Sequence, residues 1–197
     1  MKHKRYGWLL MALVCGAGAL LSVALTGHTL GNARNQPAPV SSAIGTDQAG
    51  SVQVLFVGFT PPAGVAARVV QAIDSAREEV LVQAYGFTHN ALAQALIRAH
   101  QRGVKVEVML DEKSESTNRY VLALFKEAGV SLRMDGAHAI AHNKVMVMDG
   151  EIVVTGSFNF TNAAETRNAE NLLILKGQSL AQAYRDNWLS HWRHARP

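Results

Sequence analysis

The sequence predicts a mixed α/β fold, in which one central β-sheet is flanked by helices on both faces. Two observations lead to this prediction. Between residues 52 and 134, short β-branched apolar runs alternate with segments of helical period, an order typical of parallel strands joined by helices. After residue 141 the order changes to a hairpin around Asp149 and Gly150, which adds antiparallel strands.

The first half of the domain alternates strand and helix. Residues 52–57 form an apolar, β-branched strand that ends before Gly58, and residues 65–76 follow with helical spacing. Residues 79–87 are a second strand, residues 90–102 a helix that Gly103 closes, and residues 104–110 a third strand. Ser116 or Thr117 is predicted to cap a helix that runs through residue 128, and residues 130–134 supply a short strand.

The second half contains the hairpin. Residues 142–148 and 152–155 are predicted as its two strands, because Asp-Gly is a favourable pair for a tight turn. Residues 156–168 are polar and irregular, residues 171–176 resemble a strand, and residues 179–194 close the chain as a helix with Trp188 and Trp192 on one side.

Length and composition limit the class of protein. The 197 residues suffice for one compact domain and an accessory segment. With 48% hydrophobic and 17% charged residues, the chain has the profile of a globular protein and not of a disordered one. Cys15 is the single cysteine, which excludes an intramolecular disulfide and a thiolate zinc cluster.

The net charge of +4 does not by itself indicate nucleic-acid binding. Lys2, Lys4 and Arg5 account for three of the 19 basic residues, and the remaining 16 nearly balance the 15 acidic residues. Affinity for a polyanion must therefore come from a local arrangement of cations.

The N-terminal region is predicted to direct export. A basic start precedes the uncharged apolar residues 8–25, a pattern typical of a signal peptide or of an uncleaved membrane anchor. We expect residues 1–33 to be this segment, with cleavage near Ala33 preferred, residues 34–51 to be a linker, and residues 52–197 to be the catalytic domain. The basic start predicts a periplasmic or secreted domain, or one anchored to the inner membrane on its outer side.

One stretch combines the residue types that phosphoryl chemistry needs. His142 and Lys144 stand two apart on a predicted strand, so both side chains are expected on one face. Asp149 follows, and six residues later come Gly156, Ser157 and Asn159, with Glu170 beyond them. A bare His-x-Lys pair is most often a solvated strand face, and only the continuation favours a site.

The spacing His142-x-Lys144-x4-Asp149-x6-Gly156-Ser157-x-Asn159 resembles the HKD signature of the phospholipase D superfamily at every fixed position. The earlier strands at residues 83–88 and 108–111 also resemble that family, so the resemblance covers about residues 52–194. A small exported chain with one motif is similar to the Nuc-type periplasmic endonucleases. The resemblance implies a metal-independent, largely non-specific endonuclease that requires no cofactor.

The resemblance also implies a role for each site residue. His142 would attack phosphorus to give a phosphohistidine, and Lys144 and Asn159 would hold the phosphoryl oxygens. Glu170 would orient His142, and Ser157 would hydrogen-bond within the site. Asp149 belongs to the motif, although its place in a turn favours a structural role. A second histidine must protonate the leaving group, and with one motif per chain it should be His142 of a second copy in a homodimer.

Several alternatives remain open from the sequence. His138, His142 and Glu170 are one conceivable metal site, but no helical context or further ligand cluster supports it, and the other histidines are more often surface or helix-end residues. Arg167, Lys113 and Arg119 lie in predicted loops, where they are candidates for phosphate contacts. The same fold acting on a phospholipid head group is one rival function, for which an uncleaved segment 8–25 would supply the membrane contact. A non-catalytic, membrane-tethered binding protein is the other.

Overall fold

The computed structural model describes residues 51–62 and 64–197. The predicted export segment, residues 1–33, lies outside them, as does the predicted linker except for Ser51. Within the described ranges, no helix combines the length and the apolar character needed to cross a membrane.

A seven-stranded mixed sheet forms the centre of the domain. The strands are β1 (Gln53–Thr60), β2 (Glu79–Ala84), β3 (Lys105–Asp111), β4 (Ser131–Asp135), β5 (Lys144–Met148), β6 (Ile152–Gly156) and β7 (Glu170–Lys176). Their order in the sheet is β1-β7-β6-β5-β2-β3-β4. The β2, β3 and β4 strands pair in parallel and every other neighbouring pair is antiparallel, which confirms the predicted mixed sheet.

Helices cover both faces of this sheet. They are α1 (Val65–Ser75), α2 (Asn90–Gln101), α3 (Glu115–Glu127), α4 (Asn162–Thr166) and α5 (Gln178–His194), with a 3₁₀ turn at Glu112–Ser114. One core contains α1, α2 and α3 against alternate residues of the strands, such as Val82 and Met146. The second core contains α5, whose buried Trp188 packs with Leu81 and Val147. Because neighbouring strand residues point to opposite faces, the strands β2, β3, β5 and β6 contribute to both cores.

Most of the motif residues lie where several strands of this sheet end or begin at the same level. Ala84, the last residue of β2, is opposite Lys144, the first residue of β5. The parallel strands β3 and β4 end at the same level, at Asp111 and Asp135. The β1 and β6 strands also end there, and β7 begins there, since Thr60 is opposite Glu170. We call this set of strand ends the site edge.

Three details differ from the sequence prediction. The β5 strand begins at Lys144, so His142 precedes the strand. The α3 helix begins at Glu115, earlier than predicted, and Ser114 precedes it. The hydroxyl of Ser114 does not cap the helix but donates to the carbonyls of Tyr85 and Asp111. The predicted irregular region contains the short helix α4, where Thr161 Oγ1 accepts a hydrogen bond from Ala164 N at 3.1 Å.

Candidate active site

Lys144 lies at the site edge with its side chain enclosed by protein. The residue is 7% exposed, and its Nζ donates a hydrogen bond of 2.7 Å to the carbonyl of His142. The ammonium group also lies 5.5 Å from the ring centroid of Tyr85. Burial lowers the pKa of Lys144, and the negative charge of Glu170 opposes that shift. The lysine is therefore a buried cation that faces a carboxylate.

His142 is exposed just before this strand. Its ring packs at 4.8 Å between centroids against Tyr85, with the planes tilted by 55°. The backbone that follows Tyr85 is held by α3, since Asn118 Nδ2 donates to the carbonyl of Tyr85 at 2.8 Å and Asn118 Oδ1 accepts from Phe87 N at 2.8 Å. The buried carboxylate of Asp111 accepts from Ala141 N at 2.8 Å and so holds the chain that leads to His142.

The segment after β6 brings further polar groups to the site edge. At Gly156, φ is +152°, and a Cβ there would overlap the carbonyl of Asn171, so glycine is required for this close approach. The amide of Ser157 then donates to that carbonyl at 3.1 Å. The side chain of Asn159 lies beside Gly86, and its buried Oδ1 has no hydrogen-bond partner among the described residues.

Glu170 differs from its predicted role in this structure. Its Oε2 accepts from Ser157 Oγ at 2.6 Å and its Oε1 accepts from Asn168 Nδ2 at 3.0 Å. Among the described residues it makes no hydrogen bond to His142, because its two oxygens are engaged by neighbours on the β6–β7 connection. The effect of Glu170 on the site is an electrostatic one on Lys144.

Asp149, which the motif places among the predicted catalytic residues, does not lie beside Lys144 at the site edge. The residue follows β5, while Lys144 begins that strand, so the two stand at opposite ends of the sheet. Its carboxylate accepts from the backbone amides of Arg77, Glu78 and Glu79 at 2.8–3.0 Å. Asp149 therefore connects the hairpin turn to the start of β2.

Two positioning residues were not predicted from the sequence. Tyr85, which contacts both His142 and Lys144, was noted only as part of a strand that resembles the family. Glu165 is 8% exposed, and its carboxylate accepts from the backbone amides of Gly64 and Ala66 at the start of α1. Residues 156–168 show no helical pattern, so this contact was not predicted from the sequence. A carboxylate in the first turn of a helix is the one sequence feature that could have indicated it.

Together these groups suit chemistry at a phosphodiester. An exposed imidazole and a buried ammonium both contact Tyr85, and the Asn159 amide lies beside the neighbouring Gly86; these groups are a nucleophile and two donors for the oxygens of a phosphoryl group. The charge of Glu170 opposes the effect of burial on the pKa of Lys144.

Known proteins with similar sequences or folds agree with this arrangement. Residues 69–192 match the family described as "Cardiolipin synthase, PLD-like domain". A phospholipase D from Rickettsia typhi is 43% identical over 132 residues, which cover 67% of this chain and 65% of that relative, or slightly less than two thirds of its length. A mitochondrial cardiolipin hydrolase from Xenopus tropicalis is 33% identical over 57% of this chain and 54% of the relative.

Among solved structures, the fold is similar to that of Nuc from Salmonella typhimurium, a phospholipase D family member. The two share 36% sequence identity with a TM-score of 0.70, over 75% of this chain and 97% of that structure.

Proposed function

This chain belongs to the phospholipase D superfamily, and from that premise we propose that it is a metal-independent phosphodiesterase that cleaves nucleic acid with little sequence preference. The observation that carries the proposal is the similarity to Nuc over 97% of that structure, together with a motif that resembles the Nuc-type endonucleases. The site residues support the same chemistry.

His142 is proposed as the nucleophile. An imidazole nitrogen attacks phosphorus, the P–N bond forms, and the P–O bond to the leaving group breaks. The leaving oxygen takes a proton from a second histidine. Water then attacks the phosphohistidine, gives its proton to that second histidine, and releases His142 as the P–N bond breaks. The exposure of His142 supports this role, because its ring is accessible to a large substrate.

Lys144 and Asn159 are proposed to stabilise the negative phosphoryl oxygens. The ammonium is nearly inaccessible to bulk water, so its charge acts through a weakly screening environment. It is already oriented by its bond to the His142 carbonyl, which reduces the rearrangement needed during the reaction. Ser157 and Glu170 are proposed to keep the β6–β7 connection and the charge of Lys144 in place.

The second histidine is proposed to be His142 of another copy of the chain. Two other histidines were considered as the acid, and their surroundings argue against both. Burial lowers the pKa of His89, against the opposing charge of Glu165, which favours a neutral ring that is a poor proton donor. The Nδ1 of His138 lies 3.1 Å from Asp135 Oδ2, away from His142. A two-fold axis through the site supplies both catalytic histidines.

An exposed apolar surface beside the site supports a homodimer. Val54, Val57 and Phe59 on β1 are 55%, 49% and 66% exposed. Phe59 pairs with Asn171, the neighbour of Glu170, so this surface borders the site edge. We call these three residues the β1 patch. A contiguous apolar patch of this kind is typical of an interaction surface.

Nucleic acid is the proposed substrate because the site edge is open. His142 and Ser157 are exposed, and so are two of the cations singled out in the sequence, Arg167 and Arg119, although Arg119 lies on α3 and not in a loop. An open edge with exposed cations accommodates a long polyanion. A phospholipid head group is the second candidate, since similar proteins from Rickettsia typhi and Xenopus tropicalis are named phospholipase D and mitochondrial cardiolipin hydrolase.

The substrate is tested by assaying the full chain, purified in mild detergent, on four substrates in excess EDTA. The substrates are plasmid DNA, single-stranded RNA, and vesicles of phosphatidylcholine or of cardiolipin. We expect cleavage of nucleic acid and none by His142→Ala. Strict dependence on an added divalent metal would refute the phosphohistidine mechanism. Hydrolysis of lipid alone would establish the second candidate, and binding without turnover would establish a non-catalytic protein.

The dimer is tested by mixing wild-type and His142→Ala chains in equal amounts and allowing them to exchange. Random pairing leaves about one quarter of the dimers with two intact chains. If each site needs both histidines, the activity of the mixture falls to about one quarter of the wild-type value, whereas self-contained sites retain about one half. Full activity of a strictly monomeric protein would contradict the proposal.

Export is proposed from the sequence of residues 1–33, which lie outside the described part of the chain. The mature protein is expected in the periplasm or medium if cleavage occurs near Ala33, and in the inner membrane if the segment is retained. Cell fractionation with mass measurement of the N-terminus distinguishes these outcomes. Recovery of the intact chain in the cytosol would refute export.

A further inference from the structure

Three histidines and one aspartate converge at a second place on the site edge. Asp135 ends β4, His138 lies in the loop that follows, and His191 and His194 are on the last turn of α5. One ligand atom of each residue lies within 4.8 Å of those of the other three. These four residues, which we call the His/Asp cluster, contain neither His142 nor Glu170, so the cluster is separate from the catalytic motif.

The aspartate is the centre of the cluster. Its Oδ2 lies 2.8 Å from His191 Nδ1 and 3.1 Å from His138 Nδ1, and its Oδ1 lies 3.2 Å from His194 Nε2. The carboxylate side chain is completely buried, while the side chains of His191, His194 and His138 are 15%, 37% and 44% exposed. The carboxylate is therefore at the bottom of the cluster and the imidazoles form its open side.

The elements that carry the cluster are held together by other contacts. Met134 and Arg196 exchange two backbone hydrogen bonds of 2.7 and 2.9 Å, which attach the end of the chain to β4. Arg133 donates to the carbonyl of Trp192 at 2.7 Å, and its guanidinium lies 4.6 Å from the centroid of that indole. Because these contacts do not involve the histidines, they position α5 beside Asp135 independently of any ligand.

We propose that the His/Asp cluster binds one divalent transition-metal ion of the zinc class. Imidazole nitrogens and a carboxylate oxygen are the donors that zinc takes, at about 2.0–2.2 Å. Tetrahedral ligation at that distance separates ligand atoms by about 3.3 Å. The three distances from the carboxylate to the imidazoles, 2.8–3.2 Å, are already close to this value, and the widest pair must approach by about 1.5 Å.

The backbone of the loop also fixes the orientation of the buried carboxylate. The amide of Ala137 lies 3.1 Å from Asp135 Oδ1 and donates a hydrogen bond to it, as outer groups do around metal sites.

The bound ion would stabilise the loop that precedes the nucleophile, and it would not be required for cleavage, which is expected in EDTA. Only residues 136–143 separate Asp135 from Lys144, and both His138 and His142 lie in this loop. Since β4 and β5 are separated by two strands, the cluster is about 14 Å from the start of β5, too far for the ion to contact a phosphoryl group held by Lys144. Its role is therefore to connect the loop, β4 and the end of α5.

The test measures metal binding directly on the full chain, prepared with an affinity tag free of histidine. After chelation and dialysis, cobalt(II) is titrated as a spectroscopic probe, and zinc affinity is measured by competition with a chromophoric chelator. We expect one ion per chain and the intense visible absorption of tetrahedral cobalt. Zinc at about 100 times its dissociation constant should raise the melting temperature by about 5–10 °C.

Variants show whether the His/Asp cluster is the site. His191→Ala and the more exposed His194→Gln should each weaken zinc binding by at least about 100-fold and abolish the thermal shift. His100→Ala, on α2 and outside the cluster, is the matched control and should bind zinc as the wild-type chain does. Binding that is absent in the wild-type chain, or unchanged in both cluster variants with native circular dichroism, overturns the proposal.

The outcome is independent of the proposed catalytic activity. Cleavage of nucleic acid in EDTA tests the phosphohistidine mechanism, whereas cobalt absorption and the zinc-dependent melting temperature test the cluster. A chain without activity that still binds one zinc ion supports the metal site alone. The metal site alone is refuted if the chain is active but binds no metal. In that case its melting temperature should change only with the protonation of the histidines.

Discussion

Replacing Lys144 with methionine separates the charge of this side chain from its bulk. Lys144 is 7% exposed, and burial lowers the pKa of its ammonium group. The folded protein therefore keeps a charge where a neutral chain of similar length is easier to bury. We expect the Lys144→Met protein to lose activity and to become slightly more stable, a combination that a purely structural lysine would not produce.

The size of each effect follows from the contacts. Removing one preorganised donor from a developing oxyanion lowers kcat by about 10²–10³-fold, and a buried cation should contribute at least as much. Replacing a buried charge by an apolar group stabilises many folds. Here the variant also loses a 2.7 Å hydrogen bond to the His142 carbonyl and an attraction to Glu170, so we expect a net gain of about 1 kcal/mol. This corresponds to a rise of about 2–4 °C in melting temperature.

The assay compares initial rates on plasmid DNA in EDTA with thermal unfolding followed by circular dichroism. Lys176→Met is the matched control, because Lys176 lies on a strand but is exposed, with its Nζ 3.1 Å from Glu151 Oε2. A surface ion pair contributes at most about 1 kcal/mol, so the control should retain full activity. The reasoning is refuted if Lys144→Met keeps activity within about tenfold of wild type, or if its melting temperature falls by several degrees.

Two further predictions concern the carboxylate and the β1 patch. The charge of Glu170 raises the pKa of Lys144 against the effect of burial, so Glu170→Gln should lower that pKa further. The alkaline fall of the rate–pH profile should then move to lower pH, with activity reduced but measurable. An unmoved profile would contradict the coupling between the two residues. Phe59→Asp should convert the dimer into monomer in sedimentation experiments, because it places a charge in a proposed apolar interface. Tyr120→Asp, at an exposed aromatic residue on α3, is its control, and equal masses for both variants would remove the β1 patch from consideration.

The regular elements could be predicted because their signals are local. Periodic apolar residues, and the glycines after α2 and α3, indicate a strand or a helix without reference to the rest of the chain. The prediction was least accurate where a polar side chain has a distant partner. Ser114 was not expected next to α3 because its hydroxyl bonds to Tyr85 across the domain, and α4 was missed because Glu165 in its first turn bonds to the amides at the start of α1.

The site was only partly predictable for the same reason. His142, Lys144, Ser157 and Asn159 fall within one short stretch of sequence, and its spacing identified them as a set. Spacing could not distinguish the catalytic end of β5 from its other end, where Asp149 binds the backbone before β2. A motif lists residues in chain order, whereas a strand separates its first and last residues by its full length.

The sequence by itself determined the fold class, the family and the residues of the motif, because all three depend on patterns within short segments. Only the tertiary structure decided which of those residues share a site and which other groups surround them. It brought Tyr85 to His142, and it brought His191 and His194, more than fifty residues along the chain, to Asp135. Such contacts arise where the ends of strands and helices that are distant in the sequence come together, and no local sequence pattern predicts them.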